Sequence, residues 1–325
     1  MESKKDIQLV DALIIGGGVS GVAAALTLAR QQHTAVVLDS EDYRNAPSPY
    51  MHNVLTWDHH DPKEFRSAAK ANILTNYTTI QFEKAEVTTI QEVDEANPRY
   101  FIATDKQGKT WTGRKLILAV GVRDEFPDIP GYIDCWAKGI YHCFFCKGYE
   151  AKGAASAGLL ALPDLASVPA ALHAARTALR FAGKVNIYTH GNNTLYKALV
   201  EAQGKNQLFQ VDNRKILHFE KGPGFADVIV HFEGGESVTE GFVGHKPPTV
   251  PKGDFHVQLG LEMNAMSDPV TKPMFLETTR KGVFACGDSA SPIKIIPQAA
   301  FAGSAAAAAV CAQIQAEDAG QACVF

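Results

Sequence analysis

The stretch DALIIGGGVSGVAAALTLARQQHTAVVLDS, residues 11–40, determines the fold. Residues 12–15 are a continuous apolar run, which is typical of a strand buried on both faces of a parallel sheet. A glycine turn, a helical pattern of small and apolar residues, and a second apolar strand follow in order. This order of strand, turn, helix and strand predicts a Rossmann-like α/β unit.

The turn carries the spacing G-x-G-x-x-G at Gly16, Gly18 and Gly21. The first glycine allows a tight turn, the second lets the backbone approach a diphosphate, and the third permits close packing of helix and strand. The free N–H groups of the helix start would face the phosphates. Asp39 ends the second strand at the spacing where a carboxylate binds ribose hydroxyls. We expect a dinucleotide here; a glycine turn that only packs a helix is the alternative.

Composition limits the class of protein. With 325 residues the chain has room for two domains, and 46% hydrophobic and 20% charged residues are typical of a globular protein. A net charge of −4 gives no electrostatic reason to expect nucleic acid or a membrane surface as partner. The N-terminus has no secretory pattern, and the apolar run GSAAAAAV is too short to span a bilayer. We therefore expect a cytoplasmic protein.

Further along the chain, the stretch YHCFFCKGYE, residues 141–150, contains a CxxC at Cys143 and Cys146. A CxxC is a redox dithiol, half of a zinc site, or two buried thiols. His142 beside Cys143 gives poor tetrahedral geometry, and a structural zinc site needs a second pair of ligands. The other cysteines stand singly: Cys135, Cys286, Cys311 and Cys323. We expect a redox dithiol and no metal.

The stretch TTRKGVFACGDSASPIKIIPQAAFAGSAAAAAV, residues 278–310, has an apolar strand at residues 283–286, then Gly287 and Asp288, a loop and a small-residue helix. It resembles the second flavin motif of the pyridine nucleotide-disulfide reductases. The resemblance implies FAD, with Asp288 on the ribityl chain and with Gln298 and Ala299 directing the helix start at the flavin. The alternative is an ordinary strand, turn and helix packed through alanines.

Two FAD motifs with a CxxC between them resemble the order of a low-molecular-weight thioredoxin reductase. LILAVGVRDEFPDIPG (residues 116–131) and VGHKPPT (residues 243–249) resemble the two crossings between the domains of that family. The resemblance implies an α/β fold of two three-layer Rossmann-like domains and a homodimer. Residues 1–122 and 246–325 would form the FAD domain, and residues 123–245 the inserted CxxC-bearing domain, which resembles a degenerate NADPH domain.

The inserted domain departs from the family pattern. A strand at residues 158–162 and a helix at residues 168–181 lack the glycine turn between them, where Pro163 and Asp164 stand instead. Proline has no N–H to offer, and a carboxylate competes with an anion for the helix start. The stretch YTHGNNT, residues 188–194, lacks the arginines expected around a 2′-phosphate. We expect that the NADPH site is lost; an atypical loop that still binds NADPH is the alternative.

The dithiol also departs from the family. Lys147 follows Cys146 where thioredoxin reductases commonly have an acid, and a cation there favours thiolate. His142 could accept a thiol proton, or it could be a structural hydrogen-bonding residue.

HCFFCKGYE and LDSEDYRNAPSPYMHNVLTWDHHDPKEF (residues 38–65) resemble the dithiol oxidases of natural-product clusters, such as the gliotoxin and holomycin oxidases. That subgroup closes small-molecule dithiols to disulfides with oxygen as acceptor and without NADPH. By position, Arg44, Asn45 and His52 would lie along the flavin, with His52 either catalytic or a solvated loop histidine. An NADPH-dependent disulfide reductase and a non-catalytic flavoprotein redox sensor remain as alternatives.

Overall fold

The computed structural model describes residues 9–94, 99–204 and 207–324, which form two compact units. The first contains residues up to 50, residues 54–123 and residues from 250 onward. The second contains residues 51–53 and 124–249. The return crossing therefore lies after residue 249, where the sequence motifs place it after 245. The short segment 51–53 packs with the second unit, which the sequence does not indicate.

The helices and strands follow the chain in three parts. Before the insertion come β1 (Leu9–Ile15), α1 (Val19–Arg30), β2 (Ala35–Asp39), α2 (Pro62–Asn76), β3 (Ile80–Lys84), β4 (Val87–Val93), β5 (Tyr100–Asp105), β6 (Thr110–Leu118) and β7 (Val122–Asp124). The next part has α3 (Tyr132–Cys135), β8 (Ile140–Tyr141), β9 (Ala157–Leu160), α4 (Val168–Ala178), β10 (Val185–Tyr188), α5 (Asn193–Gln203), β11 (Phe209–Asp212), β12 (Ile216–Lys221), β13 (Val228–Phe232), β14 (Ser237–Glu240), β15 (Val243–Gly244) and β16 (Thr249–Pro251). The last part has α6 (Phe255–Gln258), β17 (Val283–Ala285) and α7 (Ile296–Asp318). Short 3-10 turns lie at Tyr149–Ala151, Pro163–Leu165 and Gly287–Ala290.

The sheet of the first unit has the order β3-β2-β1-β6-β5-β4, and β17 pairs with the end of β6. The strands β3, β2, β1, β6 and β17 are parallel, while β4 and β5 add an antiparallel edge. In β1 the side chains alternate between two cores, as a strand requires. Ala12 and Ile14 pack with α1 and α7, and Leu13 and Ile15 pack on the opposite face with Phe101 of β5.

The helix α7 is longer than the sequence indicates. Among the described residues it is the one helix long and apolar enough to cross a membrane, with a mean hydropathy of 1.3 over its most apolar window. That window is 56% buried within the protein. A side chain at Gly303 would place its Cβ 2.0 Å from the backbone oxygen of Ser20 in α1, so the two helices touch through their backbones. The helix is packed within the protein, as the sequence predicts, but its apolar part is longer than the run GSAAAAAV indicates.

The second unit has a parallel sheet of order β11-β10-β9-β15-β8. The helices α4 and α5 cover one face through a core that includes Leu159, Ala171 and Leu199. The antiparallel strands β12, β13 and β14 cover the other face through a core that includes Leu160 and Val230. The predicted fold class is confirmed: two Rossmann-like three-layer α/β units, with the second inserted in the chain of the first.

Candidate functional site

The glycine turn before α1 is tightly packed at two of its positions. Gly16 has a φ of +106°, and a Cβ there would lie 2.4 Å from the carbonyl oxygen of Ala119. A Cβ at Gly21 would lie 1.9 Å from the carbonyl oxygen of Gly16. Gly18 differs, because a Cβ there would meet no atom within 4 Å. Gly18 is also the N-cap of α1 and provides no side-chain cap, so the helix start faces open space.

Asp39 lies beside this turn, where a ribose-binding carboxylate is expected. A Cβ at Gly17 would lie 2.2 Å from its Oδ2, so a side chain at this position, which the motif does not include, would displace the carboxylate of Asp39. The Asp39 carboxylate accepts hydrogen bonds from the N–H of Glu41, at 3.0 Å, and from the hydroxyl of Tyr43. Tyr43, also absent from the sequence prediction, lies under the guanidinium of Arg66 at 3.8 Å.

Arg44 and Asp288, both predicted to face the flavin, form an ion pair. Arg44 Nη1 lies 3.1 Å from Asp288 Oδ2, although 244 residues separate them, and their side chains are 16% and 23% exposed. Asn45 is engaged elsewhere in the same unit, since its Oδ1 accepts a hydrogen bond from Arg66 at 2.9 Å. The structure therefore joins the two ends of the predicted cofactor site through Arg44 and Asp288.

Lys294 holds the loop between Asp288 and α7, and the sequence prediction missed it. Its Nζ donates to the carbonyl oxygens of Asp288, at 2.7 Å, and Ser291, at 2.9 Å. It also lies 3.6 Å from the buried carboxylate of Asp268, and burial lowers the pKa of the ammonium. A lysine between isoleucines, in PIKII, is the one signal in the sequence that this side chain turns inward.

Gln298 and Ala299 lie in the first turn of α7, with Gln298 partly exposed and Ala299 buried. The N-cap, Ile295, has no side chain that could cap the helix. The residues of the first unit therefore fit FAD. An open, uncapped helix start suits the diphosphate, a carboxylate ends β2, and a second uncapped helix start follows the Asp288 loop. When bound, FAD supplies two-electron redox chemistry that no side chain of the protein offers.

In the second unit, Cys143 and Cys146 form a disulfide with a Cα–Cα distance of 5.3 Å. The loop folds back on itself, because the N–H of Cys146 donates to Cys143 Sγ at 3.1 Å and the N–H of Lys147 donates to the Cys143 carbonyl at 3.0 Å. Phe144 packs against Phe242 with ring centroids 5.5 Å apart, which anchors the loop. Both cysteines are partly exposed, so exchange partners can reach the disulfide.

His52 contacts this loop through both ring nitrogens. Its Nδ1 lies 2.6 Å from the carbonyl oxygen of Cys146, and its Nε2 lies 3.0 Å from Glu150 Oε1. A carbonyl oxygen only accepts, so Nδ1 carries the hydrogen of that bond. The side chain of His52 is 7% exposed, which excludes the solvated loop histidine considered above. Glu150, four positions after Cys146, is a partner that sequence reasoning missed.

The other two predicted side chains near the dithiol have different surroundings. His142 is exposed, and its ring stacks on Trp136 with centroids 5.9 Å apart. Lys147 is half-buried, and burial lowers the pKa of its ammonium while the charge of Glu150 opposes that shift. His52 is therefore a histidine from outside the cysteine loop that is hydrogen-bonded to its backbone.

The helix start that would bind NADPH is closed by the protein's own groups. The hydroxyl of Ser167 caps α4 by accepting from the N–H of Ala170 at 3.4 Å. Pro163 begins a 3-10 turn in front of it, and Asp164 lies 3.8 Å from Lys246 Nζ. A capped helix start preceded by a proline and a carboxylate offers little to a diphosphate.

The loop after β10 is also bonded internally. His190 Nδ1 accepts from the N–H of Ile216 at 3.0 Å, and Asn192 caps α5 by accepting from Leu195 at 3.0 Å. Arg214, an arginine outside the stretch considered in the sequence, is held by the carboxylates of Asp212 and Glu236.

Comparison with known proteins identifies the family. The family model described as pyridine nucleotide-disulphide oxidoreductase matches residues 10–156. The chain is 44% identical to thioredoxin reductase aclD of Aspergillus oryzae over 94% of this chain and 96% of that protein. It is 40% identical to thioredoxin reductase tcpT of Claviceps purpurea, over 98% of each chain.

Solved structures agree with this assignment. The crystal structure of HlmI is similar with a TM-score of 0.84 and 28% identity, over 96% of this chain and 94% of that one. An oxidoreductase from Agrobacterium tumefaciens is similar with a TM-score of 0.81 and 30% identity, over 95% and 99%. With its glycine turn, Asp288 motif and CxxC disulfide, the chain belongs to the thioredoxin reductase-like pyridine nucleotide-disulphide oxidoreductases and is an FAD-binding disulfide oxidoreductase.

Proposed function

We propose that this protein oxidises a small-molecule dithiol to an intramolecular disulfide through Cys143 and Cys146, with oxygen as the electron acceptor. The product from oxygen would be hydrogen peroxide. The dithiol would belong to the biosynthesis of an epidithiodiketopiperazine-type metabolite, or to self-protection against one. The observation that supports this best is the difference between the two helix starts: α1 is uncapped and open at Gly18, whereas α4 is capped by Ser167.

This difference argues against NADPH as the electron source. A diphosphate relies on several charge-assisted hydrogen bonds, each worth roughly 1.5–3 kcal/mol. Pro163 has no backbone N–H to donate, and Asp164 adds a negative charge that would repel a phosphate. The hydroxyl of Ser167 already accepts a hydrogen bond from an N–H in the first turn of α4. Losing several such bonds reduces affinity by orders of magnitude. Electrons would then have to enter through the disulfide from a thiol substrate.

The exchange chemistry needs only the cysteine pair. One substrate thiolate attacks Cys143 Sγ, the Cys143–Cys146 bond breaks, and Cys146 leaves as a thiolate. The second substrate thiol loses its proton and attacks the substrate sulfur of the mixed disulfide, which releases the Cys143 thiolate. The substrate has then lost two electrons and two protons, and the cysteine pair has gained the two electrons. Across the full cycle one dithiol and one O₂ give one disulfide and one H₂O₂.

His52 and Glu150 would assist the departure of Cys146. His52 Nδ1 donates to the Cys146 carbonyl, and its Nε2 faces the Glu150 carboxylate. These two contacts fix the ring of His52 beside the backbone of Cys146. The ammonium of Lys147 is a nearby cation, which favours thiolate. We assign His52 a positioning role, since the structure records its contact with the backbone of Cys146.

Two other functions make different predictions. The relatives are named thioredoxin reductases, which favours an NADPH-dependent disulfide reductase as the second candidate. That enzyme would carry electrons from NADPH through the flavin to the disulfide. A redox-sensing flavoprotein would turn over slowly with every small dithiol. We further propose that the protein is cytoplasmic and, as the family resemblance implies, a homodimer.

Oxygen consumption with a small dithiol such as dithiothreitol tests the proposal. We expect turnover without NADPH and one H₂O₂ per O₂ consumed. Cys143→Ser and Cys146→Ser should each abolish turnover and keep FAD bound, because exchange needs both sulfurs. Cys323→Ser, a partly exposed single cysteine, is the matched control and should keep full activity. Normal turnover by Cys146→Ser would contradict the proposed mechanism.

A further inference from the structure

A cluster of two histidines and a glutamate lies on β12 and β13 of the second unit, apart from the cysteine loop. His218 and His231 face each other across the two antiparallel strands, and their rings stack with centroids 4.0 Å apart and planes 10° apart. Glu220 follows His218 by two residues, so it projects from the same face. Its Oε2 lies 3.1 Å from His231 Nε2.

An irregularity in the pairing of β12 with β13 places the two histidines opposite each other. Ile216 pairs with Phe232, and the next pair is His218 with His231, so Leu217 is an extra residue in β12. A bulge of this kind redirects the side chains that follow it. The alternate residues Phe219 and Val230 are buried in the core, which leaves the face with the histidines toward solvent.

These side chains are accessible at the surface of the strand layer. His231 is 27% exposed and Glu220 is 59% exposed, so an ion from solution can reach them. The carboxylate of Glu220 supplies a negative charge beside the two imidazole rings.

We propose that His218, Glu220 and His231 form a binding site for a divalent transition-metal ion such as Zn²⁺. Two imidazole nitrogens and one carboxylate are ligands that suit Zn²⁺ and Cu²⁺ better than Mg²⁺ or Ca²⁺. One ligand atom from each residue lies within 4.8 Å of the others. A tetrahedral zinc requires donor atoms roughly 3.3 Å apart. Small rotations of these partly exposed side chains would close the difference, and water would complete the coordination.

Such an ion would cross-link β12 to β13 and stabilise the three-stranded layer of the second unit. The site is distinct from the CxxC, for which the sequence indicates no metal. Twelve residues lie between His218 and His231, and no finger-like spacing relates the two histidines, so the strand pairing brings them together.

Calorimetric titration of Zn²⁺ into the FAD-loaded, oxidised protein tests the site, after removal of any histidine tag and treatment with a chelator. We expect one equivalent to bind. His218→Gln and His231→Gln should each weaken that binding roughly tenfold or more, because each removes a ligand. His173→Gln, an exposed histidine on α4, is the matched control and should bind zinc like the original protein.

Unchanged FAD absorbance and circular dichroism would establish that each variant is folded. Zn²⁺ should also raise the melting temperature of the original protein, and this rise should be absent from His218→Gln and His231→Gln. Equal zinc affinity in all the proteins, or no binding up to millimolar zinc, would overturn the proposal. Binding that persists in both variants but disappears in His52→Gln would also overturn it, since the ion would then lie at the cysteine loop.

Discussion

Positions 18 and 21 belong to the same turn, and glycine stands at each for a different physical reason. At Gly21 a side chain would collide with the backbone oxygen of Gly16 at 1.9 Å, so the fold itself requires glycine. At Gly18 a Cβ would meet no atom within 4 Å, so the fold would accept other residues. Glycine at Gly18 keeps the space in front of α1 clear for a diphosphate. Folding and cofactor binding are therefore separable at neighbouring positions.

Gly18→Asp should fold but fail to retain FAD. Aspartate is a favourable N-cap, worth roughly a few tenths of a kcal/mol over glycine, yet its carboxylate would repel the diphosphate. The absorbance spectrum of the purified variant should lack the flavin bands while its circular dichroism stays native. Gly18→Ala is the control and should fold and retain most of the FAD. Full flavin occupancy in Gly18→Asp would show that the turn is not the diphosphate site.

At the cysteine loop, His52→Ala should slow dithiol oxidation by about 10- to 150-fold while FAD stays bound. The estimate is the loss of one charge-assisted hydrogen bond, roughly 1.5–3 kcal/mol. His52→Gln can still donate to the Cys146 carbonyl but cannot also place a ring nitrogen against Glu150, so it should recover only part of the rate. Glu150→Gln should reduce the rate less than His52→Ala, and Glu201→Gln, on the exposed face of α5, should not change it. Steady-state rates of His52→Ala equal to the original protein would remove His52 from the mechanism.

At the scale of elements, the starts of α1 and α4 show how two similar units diverge. Each helix follows a parallel strand at the centre of its sheet. The start of α1 has no side-chain cap, whereas Ser167 caps α4. A cap satisfies one of the free N–H groups that would otherwise bind an anion. The same architecture can thus bind a nucleotide in one unit and serve as a scaffold in the other.

An ion pair in the first unit links three elements and makes stability depend on pH. His33, in the turn after α1, lies 3.2 Å from Asp11 of β1, and bonds to Asp11 and to Cys311 of α7 raise its pKa to about 9. The same pair lowers the pKa of Asp11 to about 2. The stabilisation from His33 is complete below its ordinary pKa of 6.5 and is lost as pH rises through 9. The contribution of Asp11 is present above its ordinary pKa of 3.8 and is lost as pH falls toward 2.

His33→Gln should therefore lower the free energy of unfolding by roughly 1–3 kcal/mol at pH 6, and by much less at pH 9.5. Urea denaturation of both proteins at the two pH values measures the difference. His173→Gln is the control, for which we expect a small difference at both values. A penalty for His33→Gln that increases from pH 6 to pH 9.5 would contradict the assigned ion pair.

The elements themselves were predictable because their signals are local. A pattern of a few neighbouring residues is enough to predict the glycine turn, the strand β1 and the strand before Asp288. The pairing of Arg44 with Asp288 spans 244 positions, and no periodicity encodes it. The contact of His52 with the cysteine loop is also long-range, so the sequence could suggest the residue but not its partner Glu150. Side-chain partners across the fold come from tertiary packing, which local patterns do not specify.

At the scale of the whole molecule, the direction of electron flow is the central claim. The family shares a fold in which FAD and a redox disulfide cooperate, and the fold does not fix which partner supplies the electrons. In this chain the FAD-binding unit keeps an open helix start, and the inserted unit keeps the disulfide but closes its own helix start. Together these features favour entry of electrons from a dithiol at Cys143 and Cys146.

Anaerobic mixing of the oxidised protein with NADPH and, separately, with a small dithiol tests this claim most directly. The dithiol should bleach the flavin absorbance without any nicotinamide, and air should restore the yellow colour with formation of hydrogen peroxide. NADPH at micromolar concentration should leave the flavin oxidised, because the proposal holds that the capped start of α4 does not bind its diphosphate. Rapid bleaching by micromolar NADPH would contradict the account and show that the protein is a reductase.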